Sequence, residues 1–265
     1  MSSPPGARQR QRAVNEPAID QSGLSAEYFD VMASFSQVHW WYRNRAAWVT
    51  EQLAGTGGTG LDVGCGTGGS IAALEAAGCS IAVGSDLSCY ALNSAQRLGR
   101  RRLFCSVAEA LPVATDAVRC LTSMDVLEHL DDDLAAVKEY VRCIQPGGRI
   151  LLMCPAYPWL FSDHDRWAEH RRRYTVRSLR QLGLAAGLEV ERSTYLYSFL
   201  VPAAFLLRRT ALRHLKRSPS DESTSFVHPA LNRVLYALSS LERRWGRRHR
   251  IPFGLTAMVI GRVPS

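Results

Sequence analysis

The sequence predicts a doubly wound α/β fold. Short apolar strands alternate with helices, a glycine-rich turn joins the first strand to its helix, and an acidic residue ends the second strand. Strands that read as short unbroken apolar runs are buried on both faces, which implies a parallel sheet covered by helices. At 265 residues, the chain is long enough for one large domain or for one domain with an added subdomain. With 46% hydrophobic and 21% charged residues, it is neither a mostly disordered chain, a collagen-like fibre nor a small disulfide scaffold.

The elements follow in order. Residues 1–23 are polar and rich in Pro, Arg and Gln; they predict a flexible tail, with no apolar stretch of a secretory signal. From Ala26 to Leu53, apolar and aromatic residues recur at helical spacing (Tyr28, Met32, Phe35, Trp40, Trp41, Trp48) and predict a helical cap. Strands are predicted at Gly60–Val63, Ser80–Ser85, Arg102–Ser106, Val118–Met124 and Arg149–Cys154. Helices lie at Ser70–Ala77, Tyr90–Leu98 and Asp133–Ile144, and a turn at Gln145–Gly148. Pro155–Tyr174 reads as a long loop of aromatic and ionisable side chains, followed by a helix at Ser178–Ala186 that Gly187 ends. Then come a strand at Leu188–Tyr197, an apolar run at Tyr195–Leu207, a polar stretch at Arg217–Ser225, a helix at Leu231–Leu241 and a last strand at Gly254–Val263. The expected organisation is one domain over 24–265: a helical cap (24–56), a core (57–198, with the loop 155–174 on its substrate side), a basic helical insertion (199–250) and the final strand (251–265).

Cysteines and charge narrow the class. The seven Cys are odd in number and none forms a C-x-x-C pair, which favours a reducing, cytoplasmic compartment and argues against a zinc site. Between Leu207 and Arg250, eleven Lys or Arg stand against three acids, which accounts for the whole net charge of +8. The remainder is neutral, so the chain is not a uniformly basic nucleic-acid binder.

The segment Leu61-Asp62-Val63-Gly64-Cys65-Gly66-Thr67-Gly68-Gly69 carries the first chemistry. Glycines between a strand and a helix let the backbone turn sharply and approach a ligand. Gly64, Gly66 and Gly69 fit the dinucleotide pattern G-x-G-x-x-G, and Asp62, Gly64, Gly66 and Gly68 fit D-x-G-x-G-x-G. Charge separates the readings. A carboxylate in the loop repels a pyrophosphate but attracts the ammonium and sulfonium of S-adenosylmethionine, whose carboxylate suits the helix N-terminus that follows. Asp86, with Leu87 after it, ends the second strand eighteen residues beyond Gly68, where an acid receives ribose hydroxyls; its alternative role is to cap the next helix.

With these residues in view, the stretch from His39 to Gly187 resembles the class I S-adenosylmethionine-dependent methyltransferases, in particular the small-molecule group with the ubiquinone/menaquinone-type enzymes. Leu61–Gly69 and Val83–Ser88 resemble the family's first two motifs. Ala108-Glu109-Ala110-Leu111-Pro112 resembles the adenine border, Met124–Leu130 (with Asp125) the fourth-strand motif, and Gln145–Ile150 the turn into strand five. The resemblance implies a Rossmann-like sheet of seven mostly parallel strands with the last antiparallel, and S-adenosylmethionine as cofactor. It implies cofactor contacts from Asp62, Gly64, Cys65, Gly66, Gly68, Asp86, Leu87, Ala108, Glu109 and Asp125. Val107 stands where the family often has an acid, and Val118-Arg119 replaces its usual aromatic-acidic pair, so adenine contacts fall to backbone near Ala108 and Glu109.

Methyl transfer is an in-line displacement that needs a base only when the acceptor must lose a proton. His129, after the fourth strand, is the first candidate; its alternative is a structural hydrogen bond at a helix start. In the long loop, Asp165 can orient His164 or His170. A metal site there lacks further convergent ligands and is not expected. The loop resembles a substrate lid in a subset of the family, and Tyr157 and Tyr174 at its ends are substrate candidates. Trp41 or Tyr42 of the cap is expected to reach the acceptor, which should be small and apolar, aromatic or lipid-like. The apolar run is shorter than the ~20 residues that span a bilayer. It reads either as a buried helix or as an interfacial one, with membrane contact through residues 195–217 aided by the arginines beyond. Two other functions stand beside the leading one: a nucleic-acid methyltransferase docking through the basic region, disfavoured for want of an N-P-P-Y-like tetrapeptide, and a non-catalytic cofactor-binding protein.

Overall fold

The computed structural model describes residues 26–209 and 227–265. Residues 1–23, the polar stretch 217–225 and the basic residues Arg213, Lys216 and Arg217 lie outside the described residues, as do the side chains of 206–209. Among the described residues, one sheet contains β1 (Thr59–Val63), β2 (Ile81–Asp86), β3 (Leu103–Cys105), β4 (Val118–Met124), β5 (Ile144–Pro155), β6 (Glu189–Leu196) and β7 (Thr256–Arg262). Its order is β3-β2-β1-β4-β5-β7-β6. Neighbours from β3 through β5 are parallel, and β7 runs antiparallel to both β5 and β6. The last strand is therefore the antiparallel one, as the resemblance implied. The strand order reverses between β1 and β4, which opens a crevice at their carboxyl ends.

The helices are α1 (Ala26–Ser36), α2 (Trp40–Gln52), α3 (Gly69–Ala76), α4 (Cys89–Arg97), α5 (Asp133–Cys143), α6 (Asp163–Trp167), α7 (Val176–Ala185), α8 (Val201–Arg209) and α9 (Pro229–Gly246). Alternation along β5 divides the core in two. Ile150, Leu152 and Cys154 join Tyr140 of α5 and Leu179 of α7 on one face. Leu151 and Met153 join Trp48 of α2 and Leu74 of α3 on the other. Gly246 lets α9 settle on α2, since a Cβ there would stand 3.1 Å from the Trp48 ring.

Four expectations change. The single helix expected over Ala26–Leu53 is broken at residues 37–39, where the His39 ring accepts from Trp41 N at 3.3 Å and caps α2. Histidine is not a usual N-cap, and apolar spacing does not register a cap. The turn at Gln145–Gly148 is a bulge within β5: Val118 pairs with Ile144 but Cys120 pairs with Arg149, and Gly147 has φ +72°. The long loop is ordered. Its ends meet where Tyr157 N donates to Tyr174 O and Tyr174 N to Pro155 O, and between them lie a 3-10 turn at Pro158–Leu160 and α6. The apolar run is divided by Tyr197 (φ +63°) into the end of β6, a 3-10 turn and α8, whose Phe205 is 44% exposed. Among the described residues, no helix is long and apolar enough to cross a membrane.

Candidate active site at the carboxyl ends of β1, β2 and β4

The glycine turn leaves β1 with Gly64, Gly66 and Gly68 all at positive φ, which only glycine adopts readily. A Cβ at Gly64 would collide with the Val126 side chain, so the exit of β4 abuts the turn. At Gly66 a Cβ would meet nothing within 4 Å, and the backbone there borders open space. Cys65 turns its thiol into the core beside Gly84, so a ligand can meet this residue only through its backbone. Among the described residues, no side chain caps the start of α3, whose N-cap is Gly68, and its first N–H groups can meet an anion.

Asp62 lies beneath the turn, 2% exposed. Its Oδ1 accepts from Thr122 Oγ1 at 2.7 Å; the Ser70 hydroxyl lies close by, but buried Oδ2 has no hydrogen-bond partner of ordinary geometry. Burial, with the nearby Asp86 charge adding to it, pushes its pKa up to about 7. Asp86 receives Gly66 N and Ser88 N, each at 2.8 Å, which binds the end of β2 to the turn. Leu87 is half-buried beside it, Ala108 is buried and Glu109 half-buried past β3. The buried Ser106 hydroxyl on this edge has no partner.

The exit of β4 is built differently. Asp125, at φ +55°, forms a two-pronged pair with Arg45 of α2. Although withdrawal from solvent opposes it, the Arg45 charge keeps the Asp125 carboxyl below the usual range. Glu128 is fully buried, and neither of its carboxyl oxygens has a hydrogen-bond partner. Burial and the Asp125 charge push its pKa well up. His129 follows, pushed down to about 4 by burial and by His170, whose ring centroid is 4.8 Å away.

Asp165, fully buried in α6, answers the question the sequence left open. Its partner is His170, whose Nδ1 lies 2.9 Å from Oδ1; His164 stands apart, its ring 6.5 Å from that of His170. Arg173 donates to both Asp165 oxygens, and Ser162 to Oδ2 through N and Oγ. Against the cost of burial, these donors hold the Asp165 carboxyl far below its ordinary value. An ionised carboxylate only accepts, so His170 carries a proton on Nδ1, and the tautomer this sets turns Nε2 away from Asp165. Tyr174 lies inside this wall, not on its surface: it is 4% exposed, and its hydroxyl donates to Asp133 Oδ2 at 2.6 Å.

Aromatic rings cluster where β5 and β6 end. Trp41 stacks on Tyr197 at 4.2 Å, and Tyr157 stacks on Tyr195 at 5.0 Å. Tyr42 is half-buried and meets His39 edge-on at 5.8 Å. Sequence reasoning missed Arg45 and Glu128. The signals were present: Arg45 stands four residues after Trp41, on the same helix face, and Glu128 sits directly before His129.

Residues 61–152 match the family model described as a methyltransferase domain. The fold and the turn agree with that match. Residues 61–152 are a class I S-adenosylmethionine-dependent methyltransferase domain. A ubiquinone biosynthesis O-methyltransferase of Dechloromonas aromatica (strain RCB) is 27% identical over 149 residues, covering 52% of this chain and 62% of the relative. The chain thus spans about three-fifths of the length of that curated relative. A chain from the complex between the Haloferax volcanii Trm112 methyltransferase activator and a putative methyltransferase superposes with TM-score 0.61 at 18% identity, covering 91% of this chain and 97% of that one. Phosphoethanolamine N-methyltransferase 2 of Haemonchus contortus, in complex with S-adenosyl-L-methionine, superposes with TM-score 0.56 at 15% identity, covering 84% and 53%. These two likenesses concern the fold.

S-adenosylmethionine is the cofactor of this methyltransferase domain, and the residues present fit it. The unpartnered Asp62 oxygen suits a cation, the open side of Gly66 admits a ligand that a Cβ would exclude, and the start of α3 suits an anion.

Proposed function

We propose that this chain transfers the methyl group of S-adenosylmethionine to an oxygen, nitrogen or carbon nucleophile of a small apolar or aromatic acceptor. One observation carries the proposal: a buried carboxylate with an unpartnered oxygen beneath a glycine turn that opens onto empty space. When bound, the cofactor supplies a methyl group already activated on a sulfonium. The chain holds and orients. Asp62 takes the ammonium, the start of α3 the carboxylate, Asp86 the ribose hydroxyls, and the backbone at Ala108 and Glu109 the adenine edge. Arg45, by pairing with Asp125, keeps that carboxylate charged beside the turn. His170, with its tautomer set by Asp165, and His129 present imidazole nitrogens to the acceptor, while Trp41 and Tyr157 supply apolar walls. The division into cap, core, insertion and final strand serves this arrangement, with α2 as the cap over the crevice. Calorimetry with S-adenosylmethionine and, separately, with NAD tests the reading. Tight uptake of the first and none of the second is expected; the reverse overturns it.

A lipid-like acceptor met at a membrane surface is a second reading, favoured by exposed apolar side chains. Trp159 and Phe205 are 56% and 44% exposed, with ring centroids 6.3 Å apart. Along α9, Leu231, Val234, Leu238, Leu241 and Trp245 form an exposed stripe near Arg244 and Arg248. Flotation with anionic and neutral vesicles at low and moderate salt decides it: binding to the anionic set alone supports it, and binding to neither removes it.

A further inference from the structure

Glu128, His129 and His170 bring carboxylate and imidazole ligand atoms within 4.8 Å of one another where β4 ends. A fully buried carboxyl with two unpartnered oxygens must either keep its proton or face a cation. The neighbouring arginines are committed elsewhere: the terminal nitrogens of Arg45 bind Asp125, and Arg173 binds Asp165. His170, in contrast, is arranged as a ligating imidazole is. Such a ring gives its second nitrogen's hydrogen to a carboxylate or a carbonyl. His170 Nδ1 has Asp165 at 2.9 Å.

The ligands also come on a rigid frame. Arg171 N donates to Glu128 O and Arg171 Nε to His129 O, each at 2.7 Å. Arg172 donates to Leu130 O at 3.0 Å, so the segment bearing His170 is tied to the one bearing Glu128 and His129. Glu169, at φ +57°, turns the chain so that His170 N reaches Asp165 O at 2.8 Å and the ring comes back over α6.

We propose that Glu128, His129 and His170 form a binding site for a divalent first-row transition ion of the Zn²⁺ or Mn²⁺ kind. Two imidazoles and one carboxylate suit such an ion better than Mg²⁺, which prefers oxygen ligands and keeps its waters. Three protein ligands leave coordination positions open. The open positions would take an oxygen of the acceptor, which narrows the acceptor to a compound with a hydroxyl or carbonyl group. That last step rests on the methyltransferase reading; the ion site does not. Only the fold brings His170 beside Glu128, because the two lie far apart in the chain.

The test uses the whole chain after dialysis against a chelator, titrated separately with Zn²⁺, Co²⁺ and Mg²⁺. One Zn²⁺ per chain is expected, with visible Co²⁺ absorption bands of a low-coordinate site and weaker uptake of Mg²⁺. Glu128→Gln and His170→Ala should each weaken Zn²⁺ binding at least tenfold. Asp165→Asn, a change at a positioning residue, should weaken it by roughly tenfold to a hundredfold. His249→Ala, which alters an imidazole stacked on Trp245, should leave it unchanged. Calorimetry with S-adenosylmethionine on the same samples confirms that the variants are folded. No uptake of Zn²⁺ or Co²⁺, uptake unchanged in the Glu128→Gln/His170→Ala double variant, or a preference for Mg²⁺ overturns the ion site. Zn²⁺ uptake in a chain that ignores S-adenosylmethionine overturns the methyltransferase reading and leaves the ion site standing.

Discussion

The two sides of the crevice are made in opposite ways. The β1–α3–β2 side is local: nine consecutive residues, Leu61–Gly69, form the turn, and one acid at the end of the adjacent strand completes it. Its main asset is space, because three glycines at positive φ keep the backbone bare. The β4–α6 side is made of long-range pairs. Arg45 reaches Asp125 across eighty positions, and Arg171 reaches the Glu128 and His129 carbonyls across some forty. Its main asset is charge held in place by opposite charge. A site of the first kind fails when a ligand contact is removed; one of the second kind fails when its frame loosens.

The largest expected effect lies on the second side. Asp165→Ala strands Arg173, His170 and Ser162 N in a buried setting, and losing one partner of such a network costs about 3–5 kcal/mol. Urea unfolding of the variant should show a loss of this order. The matching change on the first side is Asp86→Ala. It removes the acceptor for charge-assisted hydrogen bonds and should weaken S-adenosylmethionine binding ~100-fold with a smaller loss of stability. Calorimetry and unfolding on both variants measure the contrast. Equal stability losses with equal binding losses would erase the distinction between the two sides.

That distinction also explains what could be read from the sequence. The turn, Asp86 and the strands β1, β2 and β4 were legible because glycine punctuation and apolar runs are local signals; the predicted Val118–Met124 matches β4 at both ends. The break between α1 and α2 was hidden by an unusual cap at His39, and the order within Pro155–Tyr174 by hydrogen bonds to distant segments. Arg45 and Glu128 carried only weak local signals, a place on the helix face of Trp41 and a place beside His129, and nothing local marks an arginine as the partner of an acid eighty positions away. The burial of Tyr174 was hidden for the same reason, its hydroxyl being held by Asp133 of α5.

Proton linkage sharpens the comparison further. Burial raises the Asp62 pKa from 3.8 to about 7, so the folded chain holds that proton more tightly than the unfolded chain does. The associated stability is complete below pH ~4, the ordinary carboxyl range, and is lost as pH rises through about 7. Cofactor affinity runs the other way, because the ammonium is attracted to the ionised carboxylate. Between pH 5.5 and 7, binding should strengthen by up to ~10-fold per unit while the ligand-free chain becomes less stable. Asp62→Asn should flatten both trends. Calorimetry and thermal melts across this range check the pair of opposite slopes, and parallel slopes would remove Asp62 from the cofactor site.

The smallest expected effect separates two histidines that the sequence could not rank. His164 adjoins Asp165 in the chain, but neighbours along a helix point to different sides, and its ring lies beside Trp167 at 5.9 Å. His170 is five positions away, and the left-handed turn at Glu169 returns it to the carboxylate. If position in the frame decides function on this side, His170→Ala should lower kcat by ~10-fold or more, while His164→Ala changes it by less than ~3-fold. Cofactor affinity should hold in both, because neither ring belongs to the turn. Equal losses in kcat would mean that α6 acts as one unit and that Asp165 does not choose between the rings. Turnover by the two variants on one acceptor, with calorimetry beside it, tells these cases apart.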